Sequence, residues 1–91
     1  MPTKATMSAT VVNRLGLHAR PAMSFVDMAS TFACEVRVKK DDAEVNGKSI
    51  MEVMMLAASE GSVLEITCEG ADAEKAAAAL KALVDSGFDE E

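Results

Sequence analysis

His18 is the only histidine in the chain, and Arg20 follows it two positions later. An imidazole is a nucleophile near neutral pH, and a guanidinium forks onto phosphate oxygens. Gly16 lets the backbone turn tightly before the pair. From Ala19 onward the apolar residues take helical spacing, so the pair stands where a helix begins. A helix start presents unbonded N–H groups and the positive end of the dipole, and both stabilise an anion. An imidazole there can attack phosphorus, while the amides and Arg20 hold the resulting phosphoryl group. No carboxylate, metal set or phosphate-binding glycine loop is close in sequence. The pattern therefore suggests a group carrier more than a hydrolase. The plainer alternative for a single histidine is a surface residue at a helix start.

These residues need a frame to hold them. Residues 6–12 alternate weakly, with Met7, Ala9 and Val11 on one face, and predict a first strand. Asn13 to His18 predicts a loop. Ala22, Phe25, Val26, Ala29 and Ala33 predict one face of a helix over about 19–31. Pro21 falls in its first turn, where a missing N–H costs little. Cys34, Val36 and Val38 alternate with Glu35, Arg37 and Lys39 in a strand over 34–39. Asp41-Asp42 predicts a turn, and Glu44-Val45 a short returning strand. Asn46-Gly47 is a strong turn signal.

Ile50, Val53, Met54 and Ala57 predict a short second helix. It opens with the capping box Ser49-x-x-Glu52, in which the serine oxygen takes one N–H and the glutamate reaches back to another. Leu64, Ile66 and Cys68 alternate inward in a strand over 63–69. Asp72 predicts the N-cap of a last helix, whose stripe runs through Ala73, Ala76, Ala77, Leu80, Leu83 and Val84. Gly87 stops it, and Asp89-Glu90-Glu91 predicts a frayed acidic tail. The order β-α-β-β-α-β-α, with polar outer positions on each strand, predicts an antiparallel sheet with helices packed on one side. That is an α+β sandwich in a single domain.

Composition removes several functional classes. The 91 residues carry a net charge of −6 and no Tyr or Trp. An acidic chain without exposed rings is a poor partner for nucleic acid or an anionic membrane. Residues 1–26 run against the trend: they hold Lys4, Arg14 and Arg20 and no acid. One histidine and two distant cysteines, Cys34 and Cys68, make a poor metal set. The first residues lack the apolar stretch of a signal peptide, and no apolar run could span a bilayer. A soluble cytoplasmic protein with two buried, reduced thiols is the expectation.

Two segments carry a resemblance. Leu15-Gly16-Leu17-His18-Ala19-Arg20-Pro21-Ala22 resembles the active-site segment of the HPr family, the histidine phosphocarriers of the bacterial phosphotransferase system. Asn46-Gly47-Lys48-Ser49-Ile50-Met51 resembles that family's regulatory-serine segment, and the same wording occurs in its nitrogen-branch paralogue, NPr. The likeness extends over about residues 5–86 and implies a four-stranded antiparallel sheet with three helices on one face, an open-faced β-sandwich. It implies that His18 accepts a phosphoryl group on Nδ1 from enzyme I, which takes it from phosphoenolpyruvate. His18 would then pass the group to IIA-type domains in sugar transport. Arg20 would stabilise the phosphate and Pro21 would shape the helix start. No cofactor is implied, and a monomer is expected.

Ser49 carries two readings: the helix cap, and regulatory phosphorylation by an HPr kinase/phosphorylase. Ile50, Met51 and Met54 would form an exposed apolar docking patch near His18, with Lys48 as its basic charge. Asp27 and Glu52 depart from the family pattern, which favours lysine at the first position and lysine or glycine at the second. They favour a matched local enzyme I or a specialised regulatory branch. The alternative reading is a regulatory protein-binding module outside sugar transport. A small-ligand-binding domain is a third reading, disfavoured by few aromatics and an alanine-rich core.

Overall fold

The structure, a computed structural model, describes residues 3–89. The elements are β1 (Lys4–Thr10), α1 (Ala19–Ser30), β2 (Glu35–Lys40), β3 (Ala43–Asn46), α2 (Ile50–Met55), β4 (Val63–Glu69) and α3 (Ala73–Asp85). A short 3₁₀ turn over Gly87–Asp89 follows. The four strands form one antiparallel sheet in the order β1-β4-β2-β3.

Alternation decides the layers. Ala9, Val36, Val38, Leu64, Ile66 and Cys68 are buried on one face of the sheet, in one cluster with Ala22, Phe25 and Ala29 of α1, Val53 of α2 and the stripe of α3. The other face presents Thr6, Ser8, Arg37, Lys39 and Glu65 to solvent. Ala73, Ala76 and Ala77 are fully buried, and side chains that small let α3 lie close on β1 and β4.

Several expectations shift by a residue or more. β1 runs from Lys4 to Thr10 rather than over 6–12, although Val11 stays buried beyond its end. Ala33 lies past the end of α1 and is exposed. α2 stops at Met55. Leu56, not Ala57, turns into the core, because Ala57 takes a left-handed backbone (φ +50°) and faces out. Met54 is exposed too, so only Val53 of α2 is fully buried. Of the expected acidic tail, Asp89 belongs to the 3₁₀ turn, while Glu90 and Glu91 lie outside the described residues. Phe88 in that turn is buried.

Asp72 stands at the N-cap of α3 but does not cap it. Its backbone (φ −111°, ψ +26°) is not the extended form that aims a side chain at the helix amides. The carboxylate instead accepts N–H bonds from Ala33 at 2.9 Å and Cys34 at 3.0 Å. The Ala33 bond, followed by bonds from Cys34, holds the Asp72 carboxyl below its ordinary value.

The two cysteines are diagonal rather than directly opposed. Cys68 pairs with Val36 across β2 and β4, and that register sets Cys34 against Gly70. Both thiols are free, buried and hydrogen-bonded to each other. Burial pushes the Cys68 thiol up to about 12, and burial followed by Asp72 raises that of Cys34.

Candidate functional site

The loop from Val11 to His18 is latched onto the loop from Leu56 to Ser62. Val11 donates its N–H to Ser62 O at 2.8 Å, Gly61 donates to Val11 O at 2.7 Å, and Leu17 donates to Ala58 O at 2.8 Å. Gly16 has φ +66°, and a Cβ there would fall 2.4 Å from Ala58 O. Only glycine permits both that backbone and that approach. Asn13 sits beneath the loop, almost fully buried, and its Nδ2 donates to Gly16 O at 2.7 Å. The sequence reading missed Asn13. An asparagine three positions before a glycine is a turn signature that could have found it.

This latch delivers His18 to the N-cap of α1 with an extended backbone (φ −73°, ψ −175°). His18 O accepts the N–H of Ala22 at 3.0 Å, so the backbone starts the helix while the imidazole does not cap it. His18 is half-buried, Ala19 and Arg20 are exposed, and Pro21 is buried. Pro21 has no N–H, so the open amides of the first turn belong to Ala19 and Arg20. The first turn of α1 itself holds no acid, so its own residues leave the positive end of the dipole available to an anion. His18, Ala19, Arg20 and Met23 line a shallow, open depression. It suits a small anion presented to a large partner better than an enclosed substrate. A second cleft, lined by Cys34, Arg37, Asn46 and Lys48 among others, shares no residue with it.

The Ser49 segment is a separate construction. Ser49 Oγ accepts the Glu52 N–H at 3.3 Å, as the capping box requires. Glu52 does not complete the box in the expected way. Its Oε1 accepts from Asn46 N at 3.0 Å, because the Ser49 N–H is already bonded to Asn46 O at 3.1 Å. Lys48 is not an open docking charge. Its ammonium donates to Phe32 O at 2.7 Å, just past the C-terminal end of α1, where a cation meets the negative end of the dipole.

The apolar surface is broader than expected. Met51 (75% exposed), Met55 (77%) and Met54 stand out from α2, while Ile50 is half-buried. α1 and α2 pack together, and α1 contributes exposed Met23. Leu15 (67%), three residues before His18 in the chain, is also exposed. Met23, Met55 and Leu15 were not on the expected patch. Among the described residues, no cluster of three or more His, Cys, Asp or Glu could hold a metal, and no helix is long and apolar enough to cross a membrane.

A seven-element sandwich with a histidine at the start of its first helix defines a class of small carrier domains, and comparison with known proteins agrees. The chain matches the family model "PTS HPr component phosphorylation site" over residues 5–86. It is 49% identical to a phosphocarrier protein HPr of Neisseria meningitidis, covering 91% of this chain and 93% of that one. It is 39% identical to a phosphocarrier protein NPr of Proteus mirabilis, covering 89% and 91%. Its fold superposes on a crystal structure of HPr from Thermoanaerobacter tengcongensis with a TM-score of 0.91 and 45% identity, covering 96% and 98%. The chain belongs to the HPr family.

Proposed function

We propose that the protein is a cytoplasmic phosphocarrier that receives a phosphoryl group on His18 from phosphorylated enzyme I and hands it to IIA-type domains. The observation that carries this reading is the placement of His18 at the acid-free N-terminus of α1, beside exposed Arg20. A nitrogen of His18, Nδ1 by likeness to the family, attacks the phosphorus. The bond from phosphorus to the donor breaks, and its electron pair leaves with enzyme I. The same exchange in reverse, onto an acceptor residue, unloads the carrier. The amides of Ala19 and Arg20 and the Arg20 guanidinium stabilise the bound dianion. A charge-assisted bond of this kind contributes ~1.5–3 kcal/mol. The open depression leaves the phosphoryl group reachable by successive partners.

Exposed Met23, Met51, Met54 and Met55 near half-buried Ile50 supply an apolar, adaptable docking face. Lys48 supports that face indirectly, by fixing the end of α1. Ser49, capping α2, is the regulatory position by likeness to the family.

Intact-mass spectrometry after incubation with phosphoenolpyruvate and the organism's own enzyme I tests the reading. One added phosphoryl group is expected, labile in acid, stable in base and absent from His18→Ala. A folded protein that gains no such group from an active enzyme I would sink the carrier role. Arg20→Ala should fold normally and transfer ~10–100-fold more slowly.

A further inference from the structure

β1 is an edge strand, paired on one side with β4. Its odd-numbered neighbours turn their backbone groups toward that side: Gly70 N bonds Thr3 O, and Val11 N bonds Ser62 O. Ser8 O and Thr10 N face the other way, toward α3. Backbone direction alternates along a strand, so Lys4, Thr6, Ser8 and Thr10 all turn N–H and C=O outward. Such a row is a template for a further strand.

Edge strands are commonly blunted by a charged residue or a proline within the strand. β1 has neither between Ala5 and Thr10. Ala5 and Met7 are also only partly buried, so an added strand would cover apolar surface. The opposite edge, β3, needs no such protection: it is four residues long, holds Glu44 and follows the Asp41-Asp42 turn.

The blunting of β1 comes from α3. Lys81 Nζ donates to Ser8 O at 3.0 Å and to Asp85 Oδ2 at 2.7 Å. Asp85 Oδ1 accepts from Thr10 N at 3.2 Å. The two residues are one helical turn apart, so they clasp the edge as a pair.

We propose that Lys81 and Asp85 guard the β1 edge against antiparallel pairing with β1 of a second copy of this chain. Two-fold symmetry sets a strand against itself, and β1 suits that arrangement. In self-pairing registers the uncharged Thr6 and Ser8 meet themselves or each other, and Lys4 is the one charge, at the end. A guard of this kind keeps a carrier in the monomeric form that presents one face to successive partners.

Sedimentation equilibrium of the full chain, from micromolar to millimolar, tests the guard. The wild type should remain monomeric. Lys81→Ala/Asp85→Ala should self-associate at least about tenfold more tightly. Adding Thr6→Pro, which removes an outward N–H, should restore the monomer. A double variant with native circular dichroism that stays monomeric at every concentration would overturn the proposal. So would a dimer that survives Thr6→Pro. Should the double variant not fold, hydrogen exchange of the wild type decides. The Thr10 amide should exchange at least about tenfold more slowly than those of Thr6 and Ser8, and equal rates for the three would refute the clasp.

Discussion

Replacing Gly16 by alanine would test whether the latch beneath His18 depends on this glycine. Three costs follow from the geometry. A left-handed backbone in a non-glycine residue costs ~1–2 kcal/mol, and Gly16 has φ +66°. The new Cβ would lie 2.4 Å from Ala58 O and 2.9 Å from Ser59 Cα, both backbone atoms that cannot swing aside. The loops must separate, which breaks the 2.8 Å bond from Leu17 N to Ala58 O, worth ~1 kcal/mol. The sum is about 3 kcal/mol, or a melting temperature lower by ~12–24 °C in a domain of this size. Gly61→Ala is the matched control, since Gly61 also has a positive φ (+92°) but no atom within 4 Å of its added Cβ. Urea denaturation followed by circular dichroism gives both losses. Gly16→Ala should lose clearly more stability than Gly61→Ala, and transfer through His18 should slow with it. Equal losses in the two variants would refute the close-approach argument.

Three further outcomes follow from the polar contacts. Ser49→Ala should cost ~1 kcal/mol in urea denaturation, because it removes the acceptor for the Glu52 N–H; no loss would mean that the cap is not formed in solution. The Asp72 carboxyl is held below its ordinary value, so its contribution is present above the unfolded value and fades as pH falls through the folded one. Asp72→Asn should therefore narrow the stability gap to wild type below about pH 4, measured by thermal melts across an acid series; a gap that persists unchanged there would contradict the assignment. The Cys68 thiol is raised from 9.0 to about 12, so its contribution is full below the lower value and is lost as pH rises toward the higher. Native protein at pH 8 should resist iodoacetamide at both cysteines and react quickly once unfolded; rapid native alkylation would show that the pair is not buried.

The particular elements show how much was legible. The inward sets Cys34-Val36-Val38 and Leu64-Ile66-Cys68 were readable because strand alternation is local to the chain. The face of α1 through Ala22, Phe25 and Ala29 was readable for the same reason, with a period of 3.6. The position of His18 before that helix was equally local. The misreadings concern residues whose surroundings come from elsewhere in the chain. Leu56 is buried and Ala57 is not, because the loop carrying Leu56 must reach the Leu17 segment.

Sequence alone thus determined the type and order of the strands and helices, though not all of their ends, and that a lone histidine with an arginine stands at a helix start. Both follow from periodicities of a few residues. The Ser49 cap is local to its helix, but the tertiary structure alone decided where several other polar side chains went. Asp72 left its own helix for Ala33 and Cys34. Lys48 went to Phe32 O, and Lys81 and Asp85 went to the edge of β1. A buried or edge-facing backbone group must find a partner, and the side chain that answers is the one brought near by folding, not by the sequence.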